Sequence, residues 1–149
     1  MIVVDSREKK NQHILDYFIT YNIPYVIKKM DIADYMVDGI GNNVVDRKQN
    51  LDELMHNLFG KDKRRFYNEM RLAYENHVKI TIVCEHGLKI DSVAAVGRFR
   101  STHSKITGQQ LRAEIERVRL AYGAQFVFCE KWQTAKTILK ILGVNENNA

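Results

Sequence analysis

Apolar and polar positions alternate along the chain in short blocks with two distinct periods. Residues 1–5, Met-Ile-Val-Val-Asp, are an apolar run ending in an acid, the pattern of a buried strand. Ile14, Leu15, Phe18 and Ile19 recur at helical spacing between Gln12 and Tyr21, and Asn22 followed by Pro24 closes that helix. Pro24 to Lys29 predicts a strand. Tyr35-Met36-Val37 and Val44-Val45 flank Gly39-Ile40-Gly41-Asn42-Asn43, which predicts a hairpin with a Gly-rich turn.

Leu51, Leu54, Met55 and Leu58 form one apolar helical face that ends at Gly60. A second helix follows, with Phe66, Met70, Ala73 and Tyr74 inward. Val78 to Cys84 predicts a strand. Leu111, Ile115, Val118 and Tyr122 mark a helix, Gln125 to Cys129 a strand, and Ala135, Ile138, Leu139 and Leu142 a last helix capped by Gly143. A meander followed by alternating strands and helices implies an α/β fold, a mixed central sheet with helices on both faces. Residues 86–106 are the least regular stretch and are expected to be a mobile loop, and Asn145 to Ala149 a frayed tail. Trp132, Tyr17, Tyr21 and Tyr122 are expected to lie in the core or cover the sheet.

With 149 residues there is room for one domain, expected over 1–143 with a short tail at 144–149. No apolar run approaches the roughly 18 residues of a membrane span, and residues 1–5 are too short for a signal peptide, so a cytoplasmic location without membrane contact is expected. Cys84 and Cys129, the two cysteines, are expected to be buried free thiols. The five histidines form no metal-binding pair, and there is no phosphate-cradling Gly-x-x-x-x-Gly-Lys loop, so neither zinc nor a nucleotide cofactor is indicated.

A net charge of +5 favours an anionic partner only weakly, and its distribution is more informative. Lys61, Lys63, Arg64 and Arg65 form one basic cluster, and Arg98, Arg100 and Lys105, with His103, a second. Each is either a solvated charge run or a set of phosphate contacts to DNA.

Candidate chemistry lies in acids at strand ends. Asp5 ends the first strand, Asp34 opens the hairpin, and Asp46 lies near the hairpin's end. Asp31 competes with Asp34, which alone sits in an Asp-Tyr pair. Lys48 follows Asp46 at the strand period of two, so both leave one face while Arg47 points away. Two carboxylates and an ammonium on one side of a hairpin suit phosphodiester hydrolysis with a hard divalent cation, Mg²⁺ or Mn²⁺. The ammonium can orient water or stabilise charge on phosphorus. Acid-x-Lys alone is a common tripeptide and decides nothing.

The order of three motifs adds weight. Val3-Val4-Asp5-Ser6-Arg7-Glu8, then Ala33-Asp34-Tyr35, then Val45-Asp46-Arg47-Lys48-Gln49-Asn50-Leu51-Asp52 resembles the nuclease domain of the XPF (xeroderma pigmentosum group F) family. That family belongs to the P-D-(D/E)-x-K nuclease superfamily. Arg65-Phe66-Tyr67 and the apolar strand ending at Glu85 continue the likeness, which covers roughly residues 1–142.

The resemblance implies a metal-dependent endonuclease cutting DNA at branched or single-strand/double-strand junction structures, with a role in repair or recombination and pairing as a homodimer. It makes Asp34 and Asp46 metal-binding carboxylates, with the Arg47 carbonyl a third candidate ligand. Lys48 becomes the catalytic lysine. Among the catalytic set the resemblance also places Asp5, near the metal site, and Arg7 and Glu8, which support it or contact the scissile strand, while Asp52 holds Arg7 or Arg47 in place as much as it does chemistry. Arg65 and Tyr67 become candidates for phosphate contact. Asp46 stands where the family usually has glutamate and Ala33 where it usually has glycine, harmless unless the backbone there needs a positive φ. The family's helix-hairpin-helix module is not expected in this sequence, which leaves substrate shape open. A non-catalytic module of the same fold, and a resolvase or restriction-like nuclease, are the rival readings.

Overall fold

In a computed structural model, described here for residues 1–87 and 89–146, six strands form one sheet in the order β2-β1-β3-β4-β5-β6. In chain order the elements are β1 (Ile2–Asp5), α1 (Gln12–Thr20), β2 (Tyr25–Lys28), β3 (Tyr35–Val37), β4 (Ile40–Lys48), α2 (Leu51–Phe59), α3 (Lys63–Glu75), β5 (Lys79–Glu85), α4 (Gly108–Tyr122), β6 (Gln125–Cys129) and α5 (Thr134–Leu142). Strand β1 runs parallel to β2 and antiparallel to β3; β3 and β4 are antiparallel, while β4, β5 and β6 are parallel. The expected mixed sheet is therefore present, with helices on both faces.

Consecutive residues of the central strands enter different cores. Val44, Ile80, Ile82 and Cys84 pack with α2, α3 and α4, while Val45, Val83 and Tyr35 pack with α1 and α5. Burial on both faces explains why these strands read as unbroken apolar runs. By the same alternation Asp46 and Lys48 emerge on the α2–α3 side and Arg47 on the α1–α5 side.

The sequence expectations need correction at four places. The hairpin turn is Asp38-Gly39, with Gly39 at φ +82°, and residues 41–43 belong to β4, whose pairing with β3 is irregular. Tyr74 is exposed because it lies at the edge of the α3 stripe, although its ring meets Tyr122 edge-on. Trp132 and Tyr21 are exposed too, Trp132 donating its indole N–H to Glu130 at 2.6 Å. The segment 86–106, apart from Leu88, is anchored: Ile90, Ala95, Val96 and Phe99 are buried in the main core. It contains a 3₁₀ turn, Ala94–Arg98, and Arg100 bridges to Thr107. Gly108 makes this packing feasible, since a Cβ there would come 2.5 Å from the Phe99 carbonyl oxygen and 2.6 Å from that of Val96. The expected frayed tail lies largely outside the described residues, although Tyr17 donates to Glu146 at 2.8 Å. Both cysteines are buried and unpaired. Among the described residues no helix is long and apolar enough to cross a membrane.

Candidate active site

The side chains of Asp34, Asp46 and Lys48 meet in an open cleft of about 660 Å³ between the ends of β1, β3 and β4 and the flank of α3. Three local features bring them there. Ala33, at φ +64°, turns the chain into β3 in a left-handed conformation that costs an L-residue of the order of 1 kcal/mol. That turn is where the family's usual glycine would be free of strain. Asp34 is then held by backbone bonds on both sides, its N–H to Val45 O at 2.9 Å and its carbonyl from Asp5 N at 2.8 Å. Its Oδ2 accepts the Arg47 N–H at 2.8 Å, joining the two motifs directly.

The second carboxylate follows from strand parity. Asp46 is 4 % exposed and interacts with Asp34 carboxyl to carboxyl. Lys48 Nζ lies 2.8 Å from Asp46 Oδ2 and 5.7 Å above the ring of Phe66. That oxygen receives no hydrogen bond of good geometry, so the contact is an ion pair with unused acceptor capacity.

Burial, reinforced by Asp46 and Glu8, holds the Asp34 carboxyl well above the usual carboxylate range, although the Arg47 N–H works against this. Burial alone would lower the Lys48 ammonium; Asp46 and Asp34 outweigh it and raise its pKa. Lys48 is therefore a permanent cation, not a proton acceptor at neutral pH.

Two further acids complete the cleft. Glu69 of α3 is pushed up to about 7, first by burial and then by the charge of Asp46, and its Oε2 accepts the Ala33 N–H at 3.4 Å. Glu53 of α2 is raised chiefly by burial, with Lys48 opposing, and caps Gln49 N at 3.4 Å. Neither was anticipated from sequence. A signal for Glu69 exists in its spacing: Phe66, Met70 and Ala73 are buried, which puts Glu69 beside the inward stripe.

Behind the sheet Arg47 is the centre of a buried network. Its guanidinium donates to Glu8 Oε2 at 2.7 Å and Oε1 at 3.0 Å, to the Lys9 carbonyl at 2.6 Å, and to Glu85 Oε1. Glu85 also meets His13 Nε2 at 2.9 Å, and Glu8 accepts the Tyr35 hydroxyl at 2.6 Å. Asp5 and Arg7 lie at the cleft rim. Arg7 Nε donates to Asp5 Oδ2 at 3.1 Å, while Asp5 Oδ1 accepts Met30 N at 2.8 Å.

The remaining predicted residues disperse. Asp52 bonds to neither Arg7 nor Arg47: it lies in the first turn of α2, where its Oδ1 accepts the Ser101 hydroxyl at 2.6 Å. Tyr67 donates to Glu114 of α4, and with Lys63 it lines a separate pocket of about 180 Å³. Arg65 reaches the cleft of Asp34 and Asp46 and pairs with Asp62 at 3.1 Å, while Lys61 and Arg64 are exposed. Arg98, Arg100 and Lys105 line a cavity of about 340 Å³ at the start of α4, where Arg98 donates to the Lys89 carbonyl at 2.9 Å. Asp31 is exposed, which leaves Asp34 as the acid of that pair in the cleft.

The donors fit a hard divalent cation of the Mg²⁺ type. Among the described residues no three His, Cys, Asp or Glu side chains converge as a metal cage. Mg²⁺ needs none: it binds through one or two carboxylates and keeps several waters. Asp34 and Asp46 supply that pair, and the buried Asp46 Oδ2 keeps acceptor capacity that a cation can use.

The sequence profile described as the ERCC4 domain matches residues 4–142. At the level of sequence, comparison with curated proteins finds no match. Among solved structures, XPF from Aeropyrum pernix superposes with a TM-score of 0.71 at 18% identity, covering 95% of this chain and 62% of that one. XPF from Aeropyrum pernix in complex with DNA gives a TM-score of 0.72 at 18% identity over the same shares. The fold is therefore that of the XPF nuclease domain, and this chain spans less than two thirds of those relatives' length.

Proposed function

Since the chain belongs to the ERCC4 domain family, we propose that it is a divalent-metal-dependent endonuclease that hydrolyses DNA phosphodiester bonds at branched or single-strand/double-strand junctions. The observation that carries this reading is the meeting of Asp34, Asp46 and Lys48 in one open cleft, with Lys48 Nζ 2.8 Å from Asp46. A non-catalytic module would have no use for a buried acid pressed against a half-buried one, which is costly unless a ligand compensates.

In this reading Asp34 and Asp46 hold Mg²⁺ or Mn²⁺, and Arg47 contributes through its backbone. The cation, when bound, supplies Lewis-acid polarisation of the scissile phosphate and lowers the pKa of a coordinated water. The chain's own groups do the rest. Lys48, a fixed cation held over Phe66, stabilises charge building on the phosphate oxygens. The Arg47 N–H fixes which Asp34 oxygen faces the cleft. Glu8 and Glu85 lock Arg47 from behind, so that the β4 backbone presents Asp46 and Lys48 without rotation. Arg7 and Arg65 at the rim bind flanking phosphates. Lys61, Lys63 and Arg64, exposed at and just before the start of α3, offer further phosphate contacts, and the Arg98, Arg100 and Lys105 cavity holds a more distant stretch of backbone.

The DNA complex of the Aeropyrum pernix relative supports DNA as the polymer. Family resemblance supports junction substrates, a homodimer and a role in repair or recombination. Purified protein is incubated with labelled fork, flap, four-way junction, duplex and single-stranded DNA, with and without Mg²⁺ or Mn²⁺, beside Asp46→Ala. Metal-dependent cutting of junctions by wild type alone is the expected result. Equal cutting by Asp46→Ala removes the catalytic assignment, and binding without cutting replaces it with a DNA-binding module. The mass on gel filtration tests the homodimer.

A further inference from the structure

Of the acids in the cleft, Glu69 and Glu53 each have one long hydrogen bond, at 3.4 Å, and no ion pair among the described residues, and Glu69 is the one set against the turn that delivers Asp34. Lys48 is paired with Asp46, Arg7 with Asp5, Arg65 with Asp62, and Arg47 with Glu8 and Glu85. Among the described residues no ion pair includes Glu69. Its one hydrogen bond, from the Ala33 N–H at 3.4 Å, is long for a charged acceptor. Yet the residue is well placed. Phe66, one turn earlier on α3, lies under the Lys48 ammonium, so helical spacing aims Glu69 at the same cleft. The residue it touches, Ala33, is the left-handed position immediately before Asp34.

We propose that Glu69 is a metal-positioning residue, whose carboxylate accepts hydrogen bonds from the waters of the cation held by Asp34 and Asp46 while also bracing the Ala33 turn. This rests on the metal-binding reading of that cleft. Direct ligation is disfavoured, since among the described residues no three carboxylates converge closely enough to share one ion. Mg²⁺ retains much of its water shell, and a carboxylate facing that shell strengthens binding without entering it.

The test separates charge from shape. Glu69→Gln keeps an oxygen that can accept the Ala33 N–H and loses the charge; Glu69→Ala loses both. Mn²⁺ affinity of the DNA-free protein is measured by water-proton relaxation, and Mg²⁺ affinity by the rise of Tm with MgCl2, with circular dichroism reporting the fold. Glu69→Gln is expected to fold as wild type and to bind both ions about tenfold more weakly, the lower range for an outer-shell partner. Glu69→Ala is expected to lose at least as much. If Glu69→Gln binds both ions like wild type, Glu69 has no part in holding the cation, while the site at Asp34 and Asp46 stands. If wild type itself binds neither ion, the metal reading of the cleft fails and takes this proposal with it.

Discussion

The Lys48 ammonium nitrogen lies 2.8 Å from Asp46 Oδ2, two residues back on the same strand, and the pair is held over the face of Phe66. This lysine cannot be replaced by another cation without losing its geometry. A guanidinium is planar and larger, and it would collide with Phe66 or displace Asp46. Both Lys48→Ala and Lys48→Arg should lower single-turnover cleavage by about 10²–10³-fold, the range for removing a preorganised electrostatic donor. Retained DNA binding in a gel-shift assay distinguishes this from misfolding, and near-normal cleavage by Lys48→Arg would show that charge alone suffices.

The crowded acids make the metal-free protein sensitive to pH. The Asp34 carboxyl is raised by burial and by Asp46, and Glu69 is pushed up to about 7. A carboxyl whose folded pKa exceeds its unfolded value, about 4, favours the fold below that unfolded value. Its contribution is lost as pH rises through the folded pKa, a window from about 4 to about 7 for Glu69. Metal-free Tm should therefore fall across that window, and Mg²⁺ should restore it at pH 8. Asp34→Asn should raise the metal-free Tm at pH 8, by about 2–4 °C for each kcal/mol of relieved repulsion, and abolish the response to Mg²⁺. A metal-free Tm unchanged by Asp34→Asn at pH 8 contradicts the repulsion argument.

On the other side of the sheet the same strand is held by charge in a different way. Arg47 is 3 % exposed and is shared by Glu8 and Glu85. Glu85→Ala leaves His13 without its carboxylate and Arg47 with Glu8 as its remaining one, and Arg47→Ala leaves two buried carboxylates. Each should cost about 3–5 kcal/mol in urea unfolding, while Arg47→Met combined with Glu8→Gln and Glu85→Gln should cost less than Arg47→Ala alone. An additive triple variant would show that these charges do not form one network.

How far these features could be read from sequence depends on their span along the chain. The shared face of Asp46 and Lys48 is a property of strand period, so two residues suffice to see it. Asp34 needed the Asp-Tyr motif as well, because its partner is Arg47 N–H across a hairpin. Glu85 lies 38 residues beyond Arg47, and nothing local marks it as the guanidinium's partner. Glu69 and Glu53 lie on helices whose apolar pattern does not show which flank meets a cleft. Tyr67 and Asp52 sit beside motif residues yet turn to Glu114 and Ser101, contacts made by α4 and the loop before it. The segment 86–106 misled by composition: its glycines and serines suggested mobility, while Ile90, Val96 and Phe99 anchor it.

That anchored segment gives the last prediction. Ser101 donates to Asp52 at 2.6 Å, tying the loop that carries Arg98, Arg100 and Lys105 to the first turn of α2, just after β4. Breaking one partly exposed bond should cost no more than about 1.5 kcal/mol of stability. The larger effect should fall on DNA. Ser101→Ala frees the loop's basic side chains from their register with the cleft, so DNA affinity should weaken several-fold while cleavage at saturating DNA stays near wild type. Arg100→Ala removes one phosphate contact and should reduce the salt dependence of binding by about one unit of log K against log salt. Affinities measured between 50 and 200 mM salt, a range over which multi-phosphate binding falls steeply, separate the two. Ser101→Ala should shift the line with little change of slope if the contacts survive in altered register, whereas Arg100→Ala should flatten it. If Arg100→Ala leaves both slope and affinity unchanged, the cavity before α4 does not hold the DNA backbone, and recognition is confined to the cleft and α3.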